Sequence, residues 1–243
     1  MSIDQAAVDE VFPSNPLREV TFEIRFPFNL HVNRAIYDIQ SALEKDYPLV
    51  SRKRLEADED DSKNLYVFTN QEESQQVKVS EDALIISFEY YKSFEYFLDE
   101  ILKCTELVFH SSSIKALTRI GLRYVNLFTL LDEANDAAWL RKFVKPLINP
   151  ERLQTAQPKR FVAEALFEKP TCFLSSRTVY YQRDETDEDQ ESFYVLDIDA
   201  YKEQYVESEK LEAVLNDLHH EIQLEFLASI TDKYKRKMRG NSK

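Results

Sequence analysis

The sequence predicts an α+β fold: mostly antiparallel sheets with helices packed on one face, in two related halves, closed by a long C-terminal helix. Three observations predict it. Runs alternating apolar and polar residues with period two are interspersed with stretches of period 3.6. Successive strand-like runs are separated by short polar turns, as in a meander. Glycine is almost absent, with only Gly121 and Gly240 in 243 residues, so the tight strand-to-helix turns of a doubly wound parallel sheet have little to be built from.

Pro13-Ser14-Asn15-Pro16 breaks the chain, and Val20 to Phe26 then alternates as a half-buried strand that Pro27 ends. Val32, Ile36, Ile39 and Leu43 recur at helical spacing, which predicts a first helix over 32–46. An extended segment runs from Pro48 to about Ala57, and the acidic run Asp58-Glu59-Asp60-Asp61 makes a solvated turn. Leu65 to Thr69, Gln76 to Val79 and Leu84 to Tyr90 are short strands. From Phe94 the positions Phe94, Phe97, Leu98, Ile101, Leu102 and Val108 return to helical period.

Lys115 to Phe128 is the longest strand candidate, with Ile120, Leu122 and Tyr124 on one face and Arg119, Gly121 and Arg123 on the other. A short helix spans Ala134 to Val144. Pro146 to Pro158 marks the junction between an N-terminal half, residues 1–145, and a C-terminal half, residues 146–243, packed as one unit. Arg160 to Phe167, Cys172 to Tyr181 and Ser192 to Ala200 are three further strands, and the acidic Asp184 to Glu191 forms a hairpin tip. A helix from about Val206 keeps Leu211, Leu215, Leu218, Ile222, Phe226 and Ile230 on one stripe.

Composition narrows function. A formal net charge of −13 argues against wide nucleic-acid binding, which draws its affinity from Lys and Arg on phosphates. Local patches are the exception, at Arg52-Lys53-Arg54 and at the tail Lys233, Lys235, Arg236, Lys237 and Arg239. The glycine count excludes a P-loop, a dinucleotide-binding GxGxxG and a G-x-S-x-G elbow. Cys104 and Cys172 have no CxxC spacing and are expected as buried, reduced thiols. No secretory signal and no apolar run long enough to span a bilayer occur, which predicts a cytoplasmic protein away from membranes. No cofactor is expected.

Phe12-Pro13-Ser14-Asn15-Pro16-Leu17-Arg18-Glu19-Val20 leading into Phe22-Glu23-Ile24-Arg25-Phe26, then Arg119-Ile120-Gly121-Leu122-Arg123-Tyr124-Val125-Asn126, then Leu196-Asp197-Ile198-Asp199 before a helix ending Ser229-Ile230-Thr231-Asp232, together resemble a family of bacterial proteins of about 250 residues. That family is sporadically distributed and has no established activity. The resemblance implies a length and a patchy distribution of the kind common among horizontally moving genes, antiphage defence genes included.

The charged strand faces carry the sharpest chemical reading. Glu19, Thr21, Glu23 and Arg25 share one face of the first strand, Arg119 and Arg123 a face of the long strand, and Asp197 and Asp199 a face of the last. Converging, their carboxylates, Asp197 and Asp199 foremost, would hold a divalent metal while the arginines gripped phosphate. The pattern resembles the interior of triphosphate-tunnel enzymes, with Thr21 in place of one acid and the strand stopping at Pro27. The simpler reading is cross-strand charge pairing. His219-His220 point about 100° apart on a helix and read as a surface pair. Ser111 to Ser113 beside His110 read as a polar turn, and the aromatic cluster Phe88, Tyr90, Tyr91, Phe94, Tyr96 and Phe97 as core or protein interface. Leu224 and Leu227 fall outside the main stripe of the last helix, which predicts an interface with a second copy or another protein there.

Three functions follow from the sequence. The first is a non-enzymatic protein-binding or regulatory partner, in a defence-type system by the resemblance. The alternative is a metal-dependent phosphate-ester or nucleotide hydrolase using the charged strand faces. A nucleic-acid accessory protein acting through the basic tail is the third.

Overall fold

A computed structural model describes residues 12–58, 61–130, 135–147, 158–182, 192–203 and 206–240. The strands are β1 (Leu17–Arg25), β2 (Leu49–Asp58), β3 (Asp61–Thr69), β4 (Gln75–Val79), β5 (Ala83–Phe88), β6 (Ala116–Leu117), β7 (Arg119–Thr129), β8 (Arg160–Glu168), β9 (Phe173–Tyr181), β10 (Phe193–Lys202) and β11 (Val206–Glu207). The helices are α1 (His31–Leu43), α2 (Phe94–Ser112), α3 (Asp136–Phe143), α4 (Leu211–Ser229) and α5 (Asp232–Met238). The fold is α+β, with helices on one side of an antiparallel sheet.

Nine strands hydrogen-bond in the order β2-β3-β4-β5-β1-β7-β10-β9-β8, and β11 pairs with β6 separately. The order shows a repeated plan. A strand, a helix, a meander and a helix occur twice, and in each case the opening strand lies beside the meander's last strand, β1 beside β5 and β7 beside β10. Strands β2 to β5 and β1 pair antiparallel with neighbours, and so do β8 and β9. Backbone bonds from Thr118 N–H to Arg25 O and from Leu127 N–H to Pro16 O set β7 antiparallel to β1.

Chain contacts divide the molecule into two compact units, one of residues 1–18, 124–200 and 219–243, the other of 19–123 and 201–218. In the second unit Val20, Phe22 and Ile24 of β1 and Leu84, Ile86 and Phe88 of β5 point inward, where α1 brings Val32, Ile36 and Ile39 and α2 brings Phe97, Ile101 and Val108. Burial of that much aliphatic and aromatic surface is the main stabilising term. In the first unit Phe128 lies against Trp139, Tyr194 and Tyr234 with ring centroids 5.1 to 6.1 Å apart. The expected junction at 146–158 and the acidic tip at 184–191 lie largely or wholly outside the described residues, as do Glu59 and Asp60.

Two details go beyond the sequence reading. The long strand breaks at Thr118 into β6 and β7. The last helix breaks at Ile230-Thr231, where Thr231 caps α5 by accepting from Tyr234 N–H and its hydroxyl donates to Lys142 O at 2.7 Å. Ile230, the last residue of the apolar stripe, lies beyond the helix end and stays buried in a bridge to Val144.

Candidate functional site

Alternation along β1 turns Glu19, Thr21, Glu23 and Arg25 away from the buried face, and along β7 it does the same for Arg119, Gly121 and Arg123. In the second unit three predicted residues meet. Glu23 Oε1 accepts from Arg119 Nη1 at 3.0 Å and from Arg25 Nε at 2.6 Å. The Arg119 guanidinium also sits over the Tyr201 ring, 4.7 Å from its centroid. It lies across Gly121, where an added Cβ would stand 3.0 Å from Nη1 and 3.4 Å from Cζ. Gly121 therefore serves as the floor for a guanidinium, and a carboxylate and an aromatic ring fix that group in plane.

The chemical consequence is definite for Glu23. An oxygen shared by two guanidinium groups is a charge-assisted hydrogen-bond hub, and its lone pairs are engaged. Thr21 in turn donates to Glu19 at 3.0 Å. Arg123 lies exposed further along β7. In the first unit Asp197 and Asp199 sit half-buried on β10, alternating with buried Leu196 and Ile198. Among the described residues, no group of three or more His, Cys, Asp or Glu side chains is placed to hold a metal ion.

Other predicted sites resolve differently. Leu227 is buried in the chain's own core and offers no surface to a partner, while Leu224 is half-buried. The tail is α5, anchored by buried Tyr234 and Met238. Its cations are partly engaged at home: Lys235 pairs with Asp232 at 3.5 Å, and Lys237 and Arg239 lie over the rings of Phe143 and Phe12, with Lys233 and Arg236 exposed. His219 and His220 are half-buried, and His219 Nδ1 is 2.9 Å from the Tyr124 hydroxyl. Helix α2 runs through Ser111 and Ser112 and ends at Ser113 in the left-handed region, φ 56°. Of the aromatic cluster, Phe88 and Phe97 are core, with centroids 5.0 Å apart, Tyr91 and Phe94 are half-buried, and Tyr90 and Tyr96 are exposed. Both cysteines are buried, and neither is part of a disulfide.

Two features went unread in the sequence. Glu81, in the β4–β5 turn, is a buried carboxylate that accepts from Asn33 Nδ2 at 3.0 Å, while its other oxygen is buried without a partner. No residue pattern announces it. The second is an exposed apolar strip at the start of α1, where Phe28, Leu30 and Tyr37 are 60, 65 and 75% exposed. Leu30 and Tyr37 are two turns apart and share a face, with exposed Arg34 between them. This one was legible, because these residues fall off the buried stripe of Val32, Ala35, Ile36 and Ile39.

No family model matches the chain, and no curated protein matches it. Among solved structures the chain is similar to the di-domain ARO/CYC StfQ from the steffimycin biosynthetic pathway, at 9% identity over 92% of this chain and 97% of that one. The TM-score is 0.18, and the likeness carries no argument about fold or function. No helix among the described residues is long and apolar enough to cross a membrane.

Proposed function

We propose that the protein is a non-enzymatic binding or regulatory partner that works through protein contacts, with a defence-type setting as the context that the sequence resemblance suggests. The observation that supports the reading is the exposed Phe28, Leu30, Arg34 and Tyr37 strip at the start of α1. Aromatic residues and arginine are among the types most enriched at interface centres, where they fill well-packed, desolvated pockets. The charged strand face adds support from the other side. Glu23, one of the carboxylates the phosphate-processing reading draws on beside Asp197 and Asp199, is shared by Arg25 and Arg119.

Incubation of the purified protein with Mg²⁺ or Mn²⁺ and a panel of nucleoside triphosphates tests this reading against hydrolysis. No turnover above background is expected. Turnover that disappears in Arg123→Ala and Asp199→Ala overturns the binding reading.

A further inference from the structure

The two strands that end the sheet order are built differently. Edge strand β2 exposes three consecutive cations, Arg52, Lys53 and Arg54, and its pairing with β3 shifts register between Glu56 and Asp58. Charge and irregularity are what natural edges use against pairing with other chains. At the other end β8 is nine residues long and pairs with β9 without any register shift, from Arg160↔Tyr181 to Glu168↔Phe173. It exposes Val162 at 46% and Leu166 at 61%.

The direction of the β8 backbone follows from its ends. Gln182 N–H donates to Lys159 O at 2.9 Å, and Lys169 N–H donates to Cys172 O at 2.8 Å. Odd-numbered residues therefore bond to β9. The backbone groups of Arg160, Val162, Glu164, Leu166 and Glu168 turn outward, away from the sheet. In Arg160-Phe161-Val162-Ala163-Glu164-Ala165-Leu166-Phe167-Glu168 the apolar residues mirror one another about Glu164, and the two ends carry opposite charges, Arg160 and Glu168.

We propose that β8 pairs antiparallel with β8 of a second copy, about a two-fold axis at Glu164. In that register Arg160 faces the partner subunit's Glu168, Val162 faces the partner subunit's Leu166, Phe161 faces the partner subunit's Phe167, and Ala163 faces the partner subunit's Ala165. Opposite charges and apolar pairs across an antiparallel ladder are the units that stabilise it. Shifting the register by two residues sets Val162 against Glu164 or Glu168 and loses every charge pair. The two central Glu164 side chains meet, and each has Arg177 directly opposite on β9 and Ser175 Oγ donating to it at 3.3 Å. The contact is isologous, as two-fold dimers require.

Sedimentation velocity from about 1 to about 100 μM brackets contacts of this size. The wild type is expected to dimerise with concentration. Arg160→Glu and Glu168→Arg each weaken dimerisation about tenfold, and the double variant Arg160→Glu/Glu168→Arg restores it. These residues are exposed, so circular dichroism is expected to stay unchanged. Under mild oxidation Glu164→Cys crosslinks to itself, because residues facing each other in such a ladder bring Cα atoms within disulfide reach. Val162→Cys alone does not, since it faces position 166. A wild type that is monomeric throughout, a charge-swapped double variant no better than the single ones, or crosslinking at 162 in preference to 164 overturns the proposal.

Discussion

Arg119 and Gly121, two residues apart on β7, are one structural device: the guanidinium lies where a side chain at 121 would be, 3.0 Å from the position of its Cβ. Gly121→Ala must push aside the Nη1 that also reaches Glu23. The far end of an arginine moves easily, so a loss of about 0.5–1.5 kcal/mol is expected, most of it from the displaced hydrogen bond. In an Arg119→Ala background the same substitution should cost almost nothing, and urea denaturation of the four proteins measures the coupling. Equal cost in both backgrounds contradicts this relationship.

Glu81 gives a second test. With one oxygen on Asn33 and the other buried unpartnered, Glu81→Gln keeps the shape and removes a charge. It is expected to be neutral or stabilising, whereas Glu81→Leu strands the Asn33 amide and costs about 1–3 kcal/mol. Thermal denaturation at neutral pH separates the two.

Stability toward acid depends in part on Asp82. Burial alone would raise its pKa, but hydrogen bonds from Lys63 and Ser80, with the charge of Lys63, bring it below the usual carboxylate value. A carboxyl depressed in the folded state adds stability above its unfolded pKa of about 3.9, and that contribution fades as pH falls through the folded value. The pair is about one-third exposed, so the contribution is below about 1 kcal/mol. The stability difference between wild type and Asp82→Asn should be present at pH 6 and shrink as pH falls below about 4. A difference that grows on acidification contradicts the assignment.

The thiols should be inert in the folded protein. Burial, then the charge of Glu100, pushes the Cys104 thiol well above its ordinary pKa, and Cys172 is buried as well. Iodoacetamide at pH 8 is expected to label neither until denaturant is added, as mass spectrometry would show.

Much of the fold was legible because it rests on local period. The strip Leu211, Leu215, Leu218, Ile222, Phe226 and Ile230 is buried throughout, and Arg119 and Arg123 lie opposite Ile120 and Leu122 as alternation requires. What period cannot encode is which strands become neighbours. The order β1-β7-β10 joins segments far apart in the chain, and no residue in Val20 to Phe26 specifies it. The meeting of Glu23 with Arg119 follows from that order, and so stayed out of reach, although the lone mid-chain glycine marked the spot. The end of the long helix at Ser229 falls within the Ser229 to Asp232 end read from the sequence, whereas the separate short helix after it was not read, and only the Thr231-Asp232 pair pointed to its start.

The central claim, that this protein acts through surface contacts, is tested most directly by quantitative affinity purification from the native host, comparing the wild type with a Leu30→Glu/Tyr37→Ala variant. Both side chains are exposed, so the variant should fold with unchanged circular dichroism and thermal midpoint. The account predicts a stoichiometric protein that the wild type retains and the folded variant loses. Equal recovery of the same proteins by both, or no protein enriched over a tag-only control, contradicts it.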